Sequence, residues 1–254
     1  MLLAIDIGNT NTVLGLWDGD DLSASWRIKT DARTTADEMI LVFRGLLQDH
    51  PITGIAACSS VPAALRELRL MLARYYADMP TVIVEPGVST GVALRYDNPK
   101  EVGADRICNT LAAFALEQTA CIVVDFGTST NFDVVGPKGE FLGGALAPGI
   151  EISVDALAAR AAALRKVELV APRSPIGKST VEALQSGFLY GFAGQVDGVT
   201  RRLQAELQPE APAEVPVIAT GGLAPLVIEH AEAITRHEPD LTLFGLRLVY
   251  DRNV

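Results

Sequence analysis

Short apolar runs alternate along the chain with segments in which apolar residues recur at every third or fourth position. Residues 2–7 (LLAIDI) are one such run, and the GNTNT that follows predicts a buried strand that ends in a tight turn. The next run, VLGLWDGDDL, predicts a second strand that ends at an Asp-Gly turn. Thr35 and Glu38 then have capping-box spacing, and the apolar residues after them predict one helix face: Met39, Val42, Phe43, Leu46 and Leu47.

The remaining pattern of the first half predicts the element order βββαβαβ. The third strand is expected at 25–29, and further strands are expected at 53–58 and 81–84. Pro62 suits the first turn of the helix between these last two strands. A loop rich in glycine and proline then leads to a helix near 105–118.

The opening pattern returns near the middle of the chain. The run CIVVDF at 121–126 predicts a buried strand, GTSTN a turn, and FDVVGPKG a second strand. Asp6 aligns with Asp125, and Gly8 aligns with Gly127 at the same offset. A repeat of about half the chain length favours two similar lobes, because a solenoid would have a period of roughly 20–50 residues.

The second half continues with an alanine-rich helix from about residue 153 and a long helix that ends near 207. The prediction ends with four further elements: a strand at 215–220, a helix near 225–234, a strand at 241–243 and a helical C-terminus. The long helix carries glycines on one face: Gly187, Gly191, Gly194 and Gly198. Since each costs about 1 kcal/mol of helix propensity, this face predicts close packing against another helix.

Composition and charge narrow the classes of protein. With 254 residues, of which 49% are hydrophobic and 20% charged, the chain is globular and forms one or two domains. A net charge of −10 argues against general binding to nucleic acids or membrane surfaces. No apolar run reaches the roughly 18 residues of a membrane span, and the N-terminus lacks the basic region of a signal peptide, so a cytoplasmic location is expected.

The cysteines and histidines do not indicate a disulfide framework or a metal site. The three cysteines, Cys58, Cys108 and Cys121, are widely spaced and odd in number. None of the three histidines lies near a cysteine or in HExxH spacing. A small-molecule enzyme or binding protein is the class that remains.

The turn after the first strand is the first candidate for chemistry. Gly8 lets a ligand approach the backbone, and the Asn and Thr residues around it can hold phosphate oxygens together with successive N–H groups. Asp6 fits next to a phosphate only through Mg²⁺ or its waters, because both groups are anions. The alternative is a plain hairpin in which Asn and Thr are turn formers.

Three other segments are candidates of the same kind. Asp125 and the turn after it repeat the first arrangement, and the Gly221-Gly222 pair lets a flat base or ribose lie against the backbone. Asp105 and Arg106 stand at an expected helix start. There, Asp105 is either a helix cap or a general base, and Arg106 could hold a carboxylate substrate.

The chain resembles the type III pantothenate kinases, members of the acetate and sugar kinase, Hsp70 and actin superfamily. The motifs that carry the resemblance are DIGNTNTVLG at 6–15, SSVP at 59–62, YDNPKEVGADR at 96–106, DFGTSTNFD at 125–133, GGALAPGI at 143–150, IGKSTVEALQSG at 176–187 and ATGG at 219–222. The resemblance implies an α/β fold of two similar actin-like (ribonuclease H-like) lobes, 1–116 and 117–254. Each would have a mixed five-stranded sheet flanked by helices, with an ATP cleft between the lobes.

The resemblance also implies roles for individual residues. Asp105 is expected to be the general base, Thr128 a second phosphate contact, and Asp125 the ligand of a monovalent cation, K⁺ or NH₄⁺. The first phosphate motif is expected to contact ATP, with Asp6 near Mg²⁺: Asp6, Ile7, Gly8, Asn9, Thr10, Asn11, Thr12 and Val13. The expected pantothenate contacts are Tyr96, Gly103, Ala104, Asp105, Arg106 and Thr180.

The implied reaction converts ATP and pantothenate to ADP and 4′-phosphopantothenate, at the entry to coenzyme A synthesis, in a homodimer. Thr130-Asn131 stands where family members have a Thr-Thr pair, which leaves the details of phosphate contact open. The GKST at 177–180 is not a P-loop, because Pro172 replaces its first glycine. The alternatives are another small-molecule kinase of the superfamily and a non-catalytic accessory factor for transcription.

Overall fold

The computed structural model describes residues 1–48, 50–160, 167–207 and 214–254. The chain divides into two compact units. The first unit comprises Met1–Val92, Asp97–Ala112 and Leu241–Val254, and the second comprises Ala93–Tyr96 and Ala113–Asp240. In the described residues, no helix is long and apolar enough to cross a membrane.

A five-stranded mixed sheet forms the centre of the first unit. Its strands are β1 (Leu2–Ile7), β2 (Asn11–Asp18), β3 (Asp21–Lys29), β4 (Gly54–Ser59) and β5 (Thr81–Ile83), in the order β3-β2-β1-β4-β5. Strand β1 is antiparallel to β2 and parallel to β4. The helices of this unit are α1 (Ala36–Leu47), α2 (Pro62–Tyr75) and the C-terminal helix α7 (Leu241–Asn253). Helix α3 (Ala104–Glu117) belongs to this unit as far as Ala112.

The two faces of this sheet have different partners. Leu3, Ile5 and Ile7 belong to one core cluster with residues of α1 and α2. Ala4 belongs to another cluster, which includes residues of α3 and α7. Side chains alternate between the faces of a strand, so Asp6 lies on the face of Ala4, that of α3 and α7.

The second unit is built on a sheet of the same topology. Its strands are β6 (Cys121–Phe126), β7 (Ser129–Val135), β8 (Phe141–Pro148), β9 (Val217–Thr220) and β10 (Arg236–His237), in the order β10-β9-β6-β7-β8. Its helices are α4 (Ile150–Arg160), α5 (Thr180–Leu207) and α6 (Ala224–Val227). Both sheets begin with an antiparallel hairpin followed by parallel strands, which confirms the two similar lobes expected from the repeat.

Three predictions at the end of the chain differ from the structure. The strand predicted at 241–243 is wrong, because these residues are the first turn of α7. Leu243, Leu246 and Val249 are buried together, so the apolar spacing over this longer stretch is helical. The predicted lobes, 1–116 and 117–254, place this helix in the second lobe, whereas its contacts assign it to the first unit. The helix predicted near 225–234 is the short α6.

Candidate functional site

The turn between β1 and β2 is fixed by backbone hydrogen bonds. The N–H of Gly8 donates to the carbonyl of Asn11 over 3.0 Å, and the N–H of Thr30 donates to the carbonyl of Thr10 over 2.9 Å. A Cβ on Gly8 would lie 3.2 Å from the Asn11 carbonyl oxygen, so a side chain fits poorly there. Asn9 and Thr10 are exposed at the tip. This tip can offer N–H groups and polar side chains to an anion.

The other predicted ATP contacts of this turn face in different directions. Ile7 is buried in the core with α1 and α2, so only its backbone can contact a ligand. Thr12 is buried too, and its hydroxyl lies 2.9 Å from that of Thr30. Val13 is half-buried and stands opposite Asp6 in the register.

Asp6 has the most strongly perturbed carboxyl group of this region. Burial raises its pKa to about 7 from 3.8, and the charge of Asp105 raises it further. Two effects lower this pKa: the hydrogen bond that the Cys58 thiol donates to Asp6 Oδ1 over 3.3 Å, and the charge of Arg27. Two carboxylates that share one face of the sheet suit a site where a cation accompanies a polyphosphate.

Cys58 is a further part of this site, and no sequence motif indicates it. It stands directly opposite Asp6 on β4 and is fully buried. The hydrogen bond to Cys108, burial and the charge of Asp6 raise the pKa of its thiol well above the usual value. Cys58 therefore remains a protonated donor that holds one oxygen of Asp6. Every residue of β4 from Gly54 to Cys58 is buried, so no alternation along this strand indicates the face of Cys58, and only the register places it beside Asp6.

Asp105 lies in the first turn of α3. Its Oδ1 accepts a hydrogen bond from the N–H of Arg106 over 2.8 Å. A side chain on Gly103 would collide with the same carboxylate oxygen. Asp105 is the second residue of α3 and does not stand at the cap position before the helix, and its charge also acts on Asp6. Its role as a functional carboxylate stays a prediction.

The corresponding turn of the second unit follows Asp125. The N–H of Gly127 donates to the carbonyl of Ser129 over 3.0 Å, and Thr128 is exposed at the tip. Gly149, just before α4, donates its N–H to the Thr128 carbonyl over 3.1 Å, and a Cβ at Gly149 would collide with that carbonyl oxygen. The GGALAPGI motif therefore contributes the residue that supports this turn, a role the sequence analysis did not predict.

Asp125 packs against the glycine pair that follows β9. Gly221 has φ +90°, and a Cβ there would lie 2.6 Å from Asp125 Oδ1 and 2.6 Å from the carbonyl oxygen of Phe126. A carboxylate and a backbone carbonyl are thus brought to one point, and hard cations prefer such oxygen ligands. The Ser129 hydroxyl lies 2.7 Å from Asn131 Oδ1, so Asn131 is held within its own strand.

Of the remaining predicted substrate contacts, Ala104 and Arg106 lie next to Asp105, whereas Tyr96 and Thr180 belong to other segments of the chain. Tyr96 belongs to the second unit, and its ring lies 5.8 Å from that of Phe141. Ala104 and Arg106 belong to the first unit, beside Asp105. Thr180 is the first residue of α5 and is exposed.

The structure brings Asp6 together with Asp105, and Asp125 together with Gly221. No group of three or more His, Cys, Asp or Glu side chains that could hold a metal ion occurs among the residues described.

Comparison with known proteins assigns the chain to a family. The model of the type III pantothenate kinases matches residues 2–202. A protein from Frankia alni named type III pantothenate kinase is 66% identical over 100% of both chains. One of the same name from Saccharopolyspora erythraea is 65% identical over 100% of this chain and 99% of its own. The chain belongs to the type III pantothenate kinase family.

Solved structures agree with this fold. A Baf family protein from Campylobacter jejuni matches with a TM-score of 0.57 and 19% identity over 99% of this chain and 98% of its own. A ROK family protein from Streptococcus pneumoniae matches with a TM-score of 0.57 and 12% identity over the same shares. Membership of the type III pantothenate kinases implies a phosphotransferase that uses ATP with a divalent metal ion.

Proposed function

We propose that this chain transfers the terminal phosphoryl group of ATP to the hydroxyl of pantothenate, giving ADP and 4′-phosphopantothenate at the first step of coenzyme A synthesis. Its family membership supports this substrate pair. The observation that carries the mechanism is the pair of acidic side chains in the first unit, where the charge of Asp105 contributes to raising the pKa of Asp6.

Asp105 acts as the general base in this proposal. Its carboxylate is held by the Arg106 N–H, which fixes one oxygen and leaves the other to accept the proton of the attacking hydroxyl. Phosphoryl transfer depends mainly on positioning and charge neutralisation, so a single oriented base suffices.

Asp6 and the two turns bind the phosphates of ATP. A divalent ion, Mg²⁺ in this proposal, supplies charge neutralisation when bound with ATP. Asp6 suits contact with it, directly or through water, because burial and Asp105 make its own charge unfavourable. The N–H groups of Asn9 and Thr10, at the exposed tip of the first turn, bind phosphate oxygens in the first unit, and Thr128 does so in the second.

Asp125 holds a monovalent cation, K⁺ or NH₄⁺, in this proposal. The support is the convergence of its carboxylate and the Phe126 carbonyl beside Gly221. Such a cation would serve in place of the P-loop lysine that the sequence lacks. Pantothenate would be contacted by Tyr96, Gly103, Ala104, Arg106 and Thr180, with Arg106 suited to its carboxylate.

The chain would act as a homodimer. Along α5, ideal Cβ atoms on Gly187, Gly191 and Gly194 meet no atom within 4 Å, so this glycine face is open among the described residues. In this proposal, the glycine face of α5 packs against a second copy of the chain. Cytoplasmic location and the absence of nucleic-acid and membrane partners stay predictions.

The test measures ADP release from Mg²⁺-ATP with and without pantothenate, in KCl and in NaCl of equal ionic strength. Turnover that needs pantothenate and K⁺ supports the kinase assignment and the role of Asp125. Turnover that needs pantothenate but is equal in KCl and NaCl contradicts only the proposed role of Asp125. No pantothenate-dependent turnover in a folded sample, with ammonium also tried, would contradict the assignment and favour another acceptor or an accessory role.

The variant Asp105→Asn tests the general base. We expect turnover to fall by about 100-fold or more, because the amide cannot accept the proton. Asp78→Asn is the matched control, since Asp78 is exposed in the loop before β5. Near-wild-type turnover in a folded Asp105→Asn protein would contradict the mechanism.

A further inference from the structure

One row of side chains crosses the first sheet at the level of Asp6. In the register, Cys58 on β4 stands opposite Asp6 on β1, Asp6 opposite Val13 on β2, and Val13 opposite Arg27 on β3. Directly paired residues of neighbouring strands point to the same face of a sheet. Arg27 therefore shares the face of Asp6, next to the turn assigned above to ATP, and only Val13 stands between the two.

Arg27 differs from most other arginines of this unit. It is exposed, and within the described part of the chain its guanidinium forms no ion pair or hydrogen bond. Five other arginines of the unit are paired with carboxylates: Arg33 with Asp31, Arg66 with Glu67, Arg69 with Glu85, Arg74 with Asp37 and Arg247 with Asp20. A structural ion pair thus does not explain Arg27.

The surroundings of Arg27 need a positive charge once ATP is present. Asp6 and Asp105 already interact unfavourably, and a triphosphate would add further negative charge to the same face. Arg27 lies close enough to Asp6 for its charge to lower the pKa of that carboxyl group. Its side chain is long enough to extend past the half-buried Val13 towards the tip of the turn.

We propose that the guanidinium of Arg27 binds the phosphate groups of ATP as they react. The inference rests on the proposed function, because it takes the turn after Asp6 as the phosphate site. A guanidinium fits phosphate oxygens with two parallel hydrogen bonds and stays charged at any relevant pH. Arg27 would thereby supply a fixed positive charge in the first unit, in addition to the monovalent cation proposed at Asp125 in the second.

The experiment compares Arg27→Met, Arg27→Lys and the control Arg66→Met in the full chain. Methionine keeps much of the apolar stem and removes the charge. Arg66 carries the same charge, but it lies on α2, which packs on the other face of the sheet. Steady-state kinetics give kcat/KM for ATP at saturating pantothenate. Calorimetry gives the affinities for Mg²⁺-ATP and for adenosine, which lacks phosphates.

We expect kcat/KM for ATP in Arg27→Met to fall by about 100-fold, as for the loss of one charge-stabilising donor. Lysine should restore part of this, since it keeps the charge without the planar fork. The affinity for ATP should fall while that for adenosine stays within about twofold of the wild type, because only ATP carries the charges that Arg27 would bind. A lower kcat/KM with unchanged ATP affinity also supports the proposal, with the contact made in the transition state.

Other outcomes overturn it. If kcat/KM for ATP and the affinity for ATP in Arg27→Met both lie within about twofold of the values in Arg66→Met, no phosphate contact exists. The loss of even one charge-assisted hydrogen bond would change these values by more than about twofold. An equal loss of affinity for ATP and adenosine would show a structural effect instead. If the wild type lacks pantothenate-dependent turnover, the proposed function fails. A loss of affinity for ATP but not for adenosine in Arg27→Met then still supports the phosphate contact, and unchanged affinities overturn it. If Arg27→Met does not fold, Arg27→Gln, which also removes the charge, takes its place in the same comparison.

Discussion

Replacing Asp6 by asparagine should make the ligand-free protein more stable. The variant Asp6→Asn removes the charge but keeps an oxygen that can accept the hydrogen bond of the Cys58 thiol. Burial and the charge of Asp105 raise the pKa of Asp6 in the folded state to about 7. Because this pKa lies above the unfolded value, the ionised carboxylate destabilises the fold. The penalty is complete above pH 7 and disappears as the pH falls towards 3.8.

The size of the effect follows from the shift. A difference of roughly three pKa units corresponds to about 4 kcal/mol in the free energy of unfolding. Asp6 is half-buried, and solvent screens part of this, so we expect Asp6→Asn to gain about 2 kcal/mol at pH 8.5. At pH 5.5, about midway between the two pKa values, the gain should be about 1 kcal/mol.

Urea unfolding without nucleotide or metal measures this gain. Both tryptophans, Trp17 and Trp26, lie in the first unit, so their fluorescence follows the unit that contains Asp6. Asp18→Asn is the control, because Asp18 is exposed at the end of β2, and it should change stability by less than about 0.5 kcal/mol. An Asp6→Asn protein no more stable than wild type at pH 8.5, or equally stabilised at both pH values, would refute the reasoning.

Three further substitutions test the packing around the site. Gly221→Ala should cost about 1–3 kcal/mol and weaken any K⁺ dependence, because φ is +90° and the new Cβ would meet Asp125; unchanged urea unfolding and cation response would contradict this. Gly245→Ala should cost about 2 kcal/mol or more, because its Cβ would collide with the backbone of Cys108; an unchanged Tm would show that α7 can shift freely. Thr35→Ala should cost about 1 kcal/mol through loss of the α1 capping box, measured by urea unfolding, and no loss would show that the cap contributes nothing.

Local sequence signals predicted the parts of the site that lie within one turn. The Gly8 turn and the Gly127 turn follow buried strands as expected, because a strand that ends in glycine and hydroxyl residues specifies its own hairpin. The capping box of Thr35 was predictable for the same reason, since both of its hydrogen bonds join residues three apart. The roles of the candidate residues stay predictions.

Contacts between distant segments could not be predicted in this way. Cys58 and Arg27 join Asp6 only through the strand register, and Gly149 reaches the Thr128 turn only because β8 leads into α4 beside it. Helix α7 lies on the first sheet for a similar reason. The short apolar run at 241–243 is compatible with a strand. The residues form a helix because Leu243, Leu246 and Val249 pack together in the cluster that contains Ala4.

The sequence by itself determined two similar αβ halves, each with an Asp-Gly turn after its first strand, because periodicity and turn chemistry act between near neighbours in the chain. The tertiary structure alone decided which side chains share a face with Asp6 and how far its pKa rises. Register and packing bring Asp105, Cys58 and Arg27 to one region from separate segments, and burial and charge act through space rather than along the chain.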